Sequence, residues 1–398
     1  MKSSPSSKWL TRLRRGVLAY AMSLPLLTTT VRGEEPLPQL ALVFADEVLP
    51  AEEVARRYDV VIWHNDPKIR DLLAQVKQHK PSVKGLMYRE LFCVLQEEAA
   101  LGESVGHYRW ILAHHPKWFQ RDAQGRMVEV PDYPGRWMMD LGNPEWQQFW
   151  IDQTLPDVVA GGWDGVFVDD ALTKVRAHNL PPLAGYPDDA SLQQAVYQFL
   201  TRISTAFHKA GKLVIANVST SYDFPGLWER WLEVTDGLTE EHFAGEGWTW
   251  GSKVAQRQLE AMRRAERMGK WMLVETDGSW EDRDRMRNSL AAYLVAAGTR
   301  SYWSYRPEGR SHGPMRNPSW DVHLGRPLED PEVHDGVWQR RFEHGLVGIN
   351  TTTSPHKLLT DSGPISLQSH EGTIIGDDGA LTHRQGIVMN QSDPTQPE

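Results

Sequence analysis

Cysteine is nearly missing from this chain: Cys93 is the only one in 398 residues. No intrachain disulfide can form, and no zinc site built on thiolates is available. Flanked by Leu91, Phe92, Val94 and Leu95, Cys93 reads as a buried, inert thiol. Basic charge is also short. The formal net charge is −9 and the body of the chain holds no Lys/Arg block, so the cationic face that a nucleic-acid partner demands is absent. There is no Gly-x-x-x-x-Gly-Lys run and no Gly-rich turn after the first strand, which argues against phosphate-loop chemistry. The longest apolar run near the N-terminus, Gly16 to Leu27, is too short to span a bilayer.

That run has another reading. Lys8, Arg12, Arg14 and Arg15 precede it and small or polar residues follow, the layout of a secretory signal peptide over residues 1–33. The expected product is secreted or periplasmic, with no stable membrane insertion once the leader is removed; an uncleaved anchor is the alternative. Seventeen tryptophans are many for a chain of this size. Their flat apolar faces suit both cores and sugar-lined clefts.

From Leu40 onward short apolar runs alternate with amphipathic segments, the pattern of a parallel α/β fold. Strands are expected at Leu40–Phe44, Val60–Trp63, Lys84–Tyr88, Val166–Val168, Leu213–Ala216, Gly237–Thr239, Trp271–Val274 and Ser301–Tyr305. Eight strands with intervening helices predict a (β/α)8 TIM barrel over 34–336. The long excursion 91–145 should wall the active-site cleft. Beyond it, 337–390 reads as a small β-strand cap, with a strand pair turning at Glu343-His344-Gly345, and 391–398 as a disordered tail.

The stretch Trp163-Asp164-Gly165-Val166-Phe167-Val168-Asp169-Asp170 ends a buried strand in two acids. Asp236-Gly237-Leu238-Thr239-Glu240-Glu241 repeats the grammar, with an acid five residues after each Asp-Gly aspartate. Carboxylates at an apolar strand tip are costly unless paired or in use. Barrels place working groups at these strand ends, and two facing carboxylates are what glycosidic cleavage requires. The acids are doubled, so Asp169 competes with Asp170 and Glu241 with Glu240. Strand alternation admits one of each pair to the lumen, and the matching offset favours Asp169 and Glu241. Glu275 is a third carboxyl at a strand end, as a sugar ligand or a loop ion pair. Asn217, Tyr88 and His64 are candidate substrate hydrogen-bonders. Trp63, Trp248, Trp250 and Trp303 are candidate stacking platforms. No metal and no cofactor is expected, because His64 is the one histidine among the strand ends considered.

The Trp163–Asp170 stretch resembles the fourth-strand signature of bacterial TIM-barrel glycoside hydrolases, in particular hypothetical glycosyl hydrolase-like family fifteen. The order of elements from Leu40 to Asn350 is similar too, including Arg341-Phe342-Glu343-His344-Gly345-Leu346-Val347. More distant likeness is to the α-amylase and α-galactosidase clans, whose nucleophilic aspartate ends strand four. The resemblance implies that Asp169 is the nucleophile or base and Glu241 the acid/base of a hydrolase acting on a poly- or oligosaccharide, with retention of configuration. A non-catalytic carbohydrate-binding barrel is the main alternative, and a metal-dependent barrel hydrolase the weaker one.

Overall fold

The computed structural model describes residues 38–43, 49–97, 103–218, 224, 226–245, 252–307 and 320–376. The expected leader, residues 377–390 of the expected cap, the expected tail 391–398, and Trp248 and Trp250 lie outside them. Eight parallel strands form one sheet in sequential order: β1 (Ala41–Val43), β2 (Val60–Trp63), β3 (Lys84–Glu90), β4 (Gly165–Asp169), β5 (Leu213–Asn217), β6 (Gly237–Glu240), β7 (Trp271–Gly278) and β8 (Ser301–Pro307). A parallel bridge between Leu40 and Trp303 joins the last strand to the first. Tyr293 fastens that seam, its hydroxyl donating to Ser301 O at 2.8 Å and accepting from Gln39 N at 3.1 Å. The barrel expected from the sequence is present.

The helices α1 (Ala51–Arg57), α2 (Pro67–His79), α3 (Tyr108–His114), α4 (Pro144–Ala160), α5 (Asp189–Lys209), α6 (Leu227–Val234), α7 (Ser252–Arg267) and α8 (Arg283–Ala296) connect the strands. Their starts are encoded locally. Asp66 caps α2 ahead of Pro67, and Asn143 accepts from Glu145 N and Trp146 N ahead of Pro144. Asp188 and Ser191 close a capping box on α5. Two apolar layers result. Val166, Val168, Val214, Ala216 and Leu238 pack outward on the helices, while Val60, Ile62, Leu86, Phe167, Ile215 and Leu273 fill the lumen.

The repeated Asp-Gly now has a structural explanation at the opposite end of the barrel from the acids. Asp164 Oδ2 accepts from Gly85 N at 2.8 Å and Asp236 Oδ2 from Val214 N at 2.8 Å, each stitching one strand to its predecessor. Lys77 neutralises Asp164 at 2.7 Å. Gly165 and Gly237 let the next strand approach, since a Cβ on Gly165 would lie 2.3 Å from Leu213 O and one on Gly237 2.5 Å from Trp271 O. The motif sets strand packing at one end and, five residues later, delivers an acid to the other.

After β8 an antiparallel sheet of Glu332–His334, Val337–Phe342, Gly345–Asn350 and Gly372–Gly376 packs on α8, where Gly372 N donates to Asn288 Oδ1 at 3.0 Å. The expected strand pair turns at Glu343-His344, which Arg326 clasps through its Nη2 at 2.8 Å. Among the described residues no helix is long and apolar enough to cross a membrane.

Candidate active site

Glu90, Asp169 and Glu275 stand inside strands rather than after them, because β3, β4 and β7 run longer than their apolar cores. Alternation then fixes direction. Tyr88 and Phe167 belong to the lumen core, so Glu90 and Asp169, two residues on, face inward as well, side by side in register.

Asp169 is held at both oxygens. The Tyr88 hydroxyl donates to Oδ2 at 2.5 Å and Asn217 Nδ2 donates to Oδ1 at 2.7 Å. Burial, then the charges of Asp170 and Glu241, push its carboxyl up to about 7 against those two bonds. Asp170 has φ of 50°, a left-handed turn uncommon outside glycine, which breaks the strand's alternation. It can therefore meet Asp169 instead of pointing to the opposite face. Its Oδ1 lies 3.2 Å from His178 Nε2, and against the opposing effect of burial that bond raises the His178 imidazole.

Glu90 is fully buried beside them. Arg136 Nη1 donates to its Oε2 at 3.0 Å and Leu91 N to its Oε1 at 3.2 Å. Burial and the two aspartates drive its carboxyl well above the ordinary range, and Arg136 pulls it back. Arg136 arrives from the strand Arg136–Met138, which pairs antiparallel with Cys93–Leu95, and also meets Glu103 Oε2 at 3.2 Å. One oxygen from each of Glu90, Asp169 and Asp170 lies within 4.8 Å of the others. Such spacing would admit a cation, but the oxygens of Glu90 and Asp169 already accept protein hydrogen bonds, and we assign no ion to them.

Glu241 is the first residue past β6. Its turn is pinned to β7, with Phe243 N donating to Glu275 O at 2.9 Å and Thr276 Oγ1 to Phe243 O at 2.8 Å. Its charge acts on Asp169, Glu275 and Arg306 alike. Glu275 shares the inward face of Trp271 and Leu273 and is 2% exposed. Arg306 Nη1 lies 3.2 Å from its Oε1, yet burial still raises its carboxyl to about 8. Arg306 Nε also donates to Asp277 Oδ1 at 2.6 Å, and Asp277 Oδ2 lies 3.3 Å from His242 Nδ1.

The structure thus gathers Asp169, Asp170, Tyr88, Asn217, Glu241 and Glu275 at one mouth, with the His64 ring edge-on to Tyr88 at 4.9 Å. It does not gather three others. Glu240 pairs in register with Val274, whose side chain packs outward, so Glu240 is buried on the helix side of the sheet. Trp63 and Trp303 are buried in the same outer layer, Trp303 against Tyr293 and Trp320, so neither presents a face to the mouth. Four residues absent from the sequence-based site belong to it: Glu90, Arg136, His178 and Arg306. Glu90 is readable from the sequence as the acid that ends the third strand, two residues past Tyr88; the other three come from loops or a strand end that periodicity does not address.

The sequence model of hypothetical glycosyl hydrolase family 15 matches residues 77–346, more than half of the chain. The chain belongs to this family. The match spans β3 to β8, and so every carboxylate described above. Among curated proteins no sequence matches. Solved structures similar to the chain include a noncanonic maltogenic α-amylase from Thermotoga neapolitana, 10% identical over 85% of this chain and 96% of that one, TM-score 0.47. A GH27 β-L-arabinopyranosidase from Geobacillus stearothermophilus is 12% identical over 85% and 96%, TM-score 0.49. A GH31 dextranase from Flavobacterium johnsoniae is 10% identical over 85% and 50%, TM-score 0.49. No residue role or substrate follows from likenesses this distant.

Proposed function

We propose that this protein is an exported glycoside hydrolase cleaving O-glycosidic bonds of a poly- or oligosaccharide, with Asp169 as nucleophile or base and Glu241 as acid/base. The observation that carries the reading is the double clamp on Asp169, with one donor on each oxygen. A carboxylate has about four lone-pair sites. Two are spent on orientation, which leaves others aimed by a fixed plane at an anomeric carbon. That is a pre-organised reacting group, in contrast to a solvated surface acid.

In the retaining form Asp169 bonds to the anomeric carbon as the glycosidic C–O bond breaks, and Glu241 gives its proton to the departing oxygen. Water then attacks the anomeric carbon, Glu241 takes the water proton, and Asp169 leaves. Tyr88, Asn217, His64, Asp170 and Glu275 would meet the sugar hydroxyls. Trp248 and Trp250 remain proposed platforms, and residues 1–33 the leader.

A panel of aryl glycosides and polysaccharides tests this. Asp169→Asn should lose at least about a thousandfold in kcat, as expected when a group acting in the transition state is removed. Glu241→Gln should lose most on sugars with poor leaving groups and least on activated aryl glycosides. Wild-type rates in both variants would remove these residues from the chemistry. Proton NMR of the first-formed anomer distinguishes retention from inversion.

A further inference from the structure

The expected stacking tryptophans that fall within the described residues, Trp63 and Trp303, are core. Another aromatic residue among the described ones is placed to serve the mouth. Tyr133 is 42% exposed, uncommon for a large ring, and it touches the side chains that hold two of the three acids, Glu90 and Asp170. The Arg136 guanidinium carbon lies 5.0 Å from its ring centroid, and Arg136 grips Glu90. The His178 ring lies 5.2 Å away at 60°, and His178 grips Asp170. Consistent with that placement, its phenol feels burial first and then the charges of Asp170, Arg136, Glu241 and Asp169.

The loop that carries Tyr133 is built to hold it still. Its sequence is Pro131-Asp132-Tyr133-Pro134-Gly135, and Gly135 takes φ of 85°, which favours glycine. Tyr133 N donates to Val130 O at 3.0 Å and Arg136 N to Tyr133 O at 3.0 Å, closing tight turns. Asn179 Nδ2 donates to Asp132 Oδ1 at 2.8 Å, tying this loop to the one after β4. Gln96 N donates to Gly135 O at 2.8 Å and Gly135 N to Glu129 Oε1 at 2.8 Å. An exposed ring on a loop fastened at this many points loses little freedom when it binds.

We propose that Tyr133 is a substrate-stacking residue of this site, packing on the apolar face of a pyranose ring beside the Asp169 carboxylate. The proposal rests on the glycosidase reading and adds to it the residue that selects for a flat, hydroxyl-rimmed ring. The phenol ring contributes dispersion and apolar contact, and Arg136 behind it keeps the ring from turning.

Two readouts on the full-length protein test it. In turnover of p-nitrophenyl glycopyranosides, Tyr133→Ala should raise KM roughly tenfold or more, with a much smaller change in kcat. Tyr133→Phe should recover most of the lost KM, since the ring does the work. Calorimetric titration of the same glycosides into Asp169→Asn, with and without Tyr133→Ala, reads binding apart from chemistry. A matching loss of affinity in the double variant supports the proposal even if Asp169→Asn still turns over, in which case the assignment of Asp169 alone fails. Unchanged KM and unchanged affinity in Tyr133→Ala overturn it. So does a Tyr133→Ala protein whose melting temperature falls along with kcat, which would make the ring structural.

Discussion

Tyr88→Phe isolates one of the two bonds on Asp169. The phenylalanine keeps the ring contacts with Phe167 at 6.2 Å and His64 at 4.9 Å, so packing is conserved and only the hydroxyl goes. That hydroxyl donates to Oδ2 at 2.5 Å and favours the ionised carboxyl. A hydrogen bond to a charged group is worth about 1.5–3 kcal/mol, and one pH unit about 1.4 kcal/mol. The Asp169 carboxyl, near 7 in the wild type, should therefore rise by about one to two units. Taking one unit, the ionised fraction drops about fivefold at pH 7 and about ninefold at pH 6, and is nearly restored at pH 9. The acid limb of kcat/KM should shift upward by that amount while the plateau changes little. Carbon-13 NMR of aspartate-labelled protein follows the same group without substrate. A loss uniform across pH, or a limb that moves down, would refute the claim that this bond holds Asp169 ionised.

Other perturbations give distinct signatures. The Glu275 carboxyl, about 8 when folded, lies above its unfolded value of about 4.3. Its folded state binds the extra proton, so its stabilising contribution is full below the unfolded value and is lost as pH rises toward 8. Glu275→Gln should flatten that decline, losing less melting temperature between pH 5 and pH 9 than the wild type does. An unchanged slope would mean that Glu275 is already ionised in the fold. Gly165→Ala puts a Cβ 2.3 Å from Leu213 O, a backbone atom that cannot swing aside. Denaturant unfolding should show a loss of about 3 kcal/mol or more; a loss below about 1 kcal/mol would mean that β4 and β5 can separate there.

Much of the barrel was legible because its local rules agree. Capping residues, apolar periodicity and turn glycines each point to the same eight units. That acids stand at the ends of the fourth and sixth strands was legible where a motif repeats, at Asp169 and Glu241. The tryptophans were not. In a run such as Val60-Val61-Ile62-Trp63 all four side chains are buried, so no polar alternation shows which face looks inward. Trp63 and Trp303 fall on the helix face, as their packing reveals. Arg136 and His178 were hidden for a different reason. They come from excursions whose course is set by tertiary contacts, the strand paired with Cys93–Leu95 and the left-handed turns at His178 and Asn179.

The same residue type serves opposite ends of the barrel under opposite rules. Asp59, Asp164 and Asp236 sit at the starts of strands, each accepting a backbone N–H of the preceding strand at 2.8–2.9 Å and each beside Lys80, Lys77 or His208. These carboxylates meet the donors they need and leave little electrostatic strain. At the far ends one oxygen from each of Glu90, Asp169 and Asp170 lies within 4.8 Å of the others, and the one arginine shown among them, Arg136, is bonded to Glu90. A trio so arranged holds one of its members near its ionisation point at neutral pH, as the Asp169 carboxyl at about 7 illustrates. Packing alone would be satisfied by apolar residues at the inward positions Glu90 and Asp169, as it is two residues below at Tyr88 and Phe167. Under the glycosidase reading proposed above, the cost of assembling like charges there is offset by function, since it keeps carboxyl groups where a sugar would react.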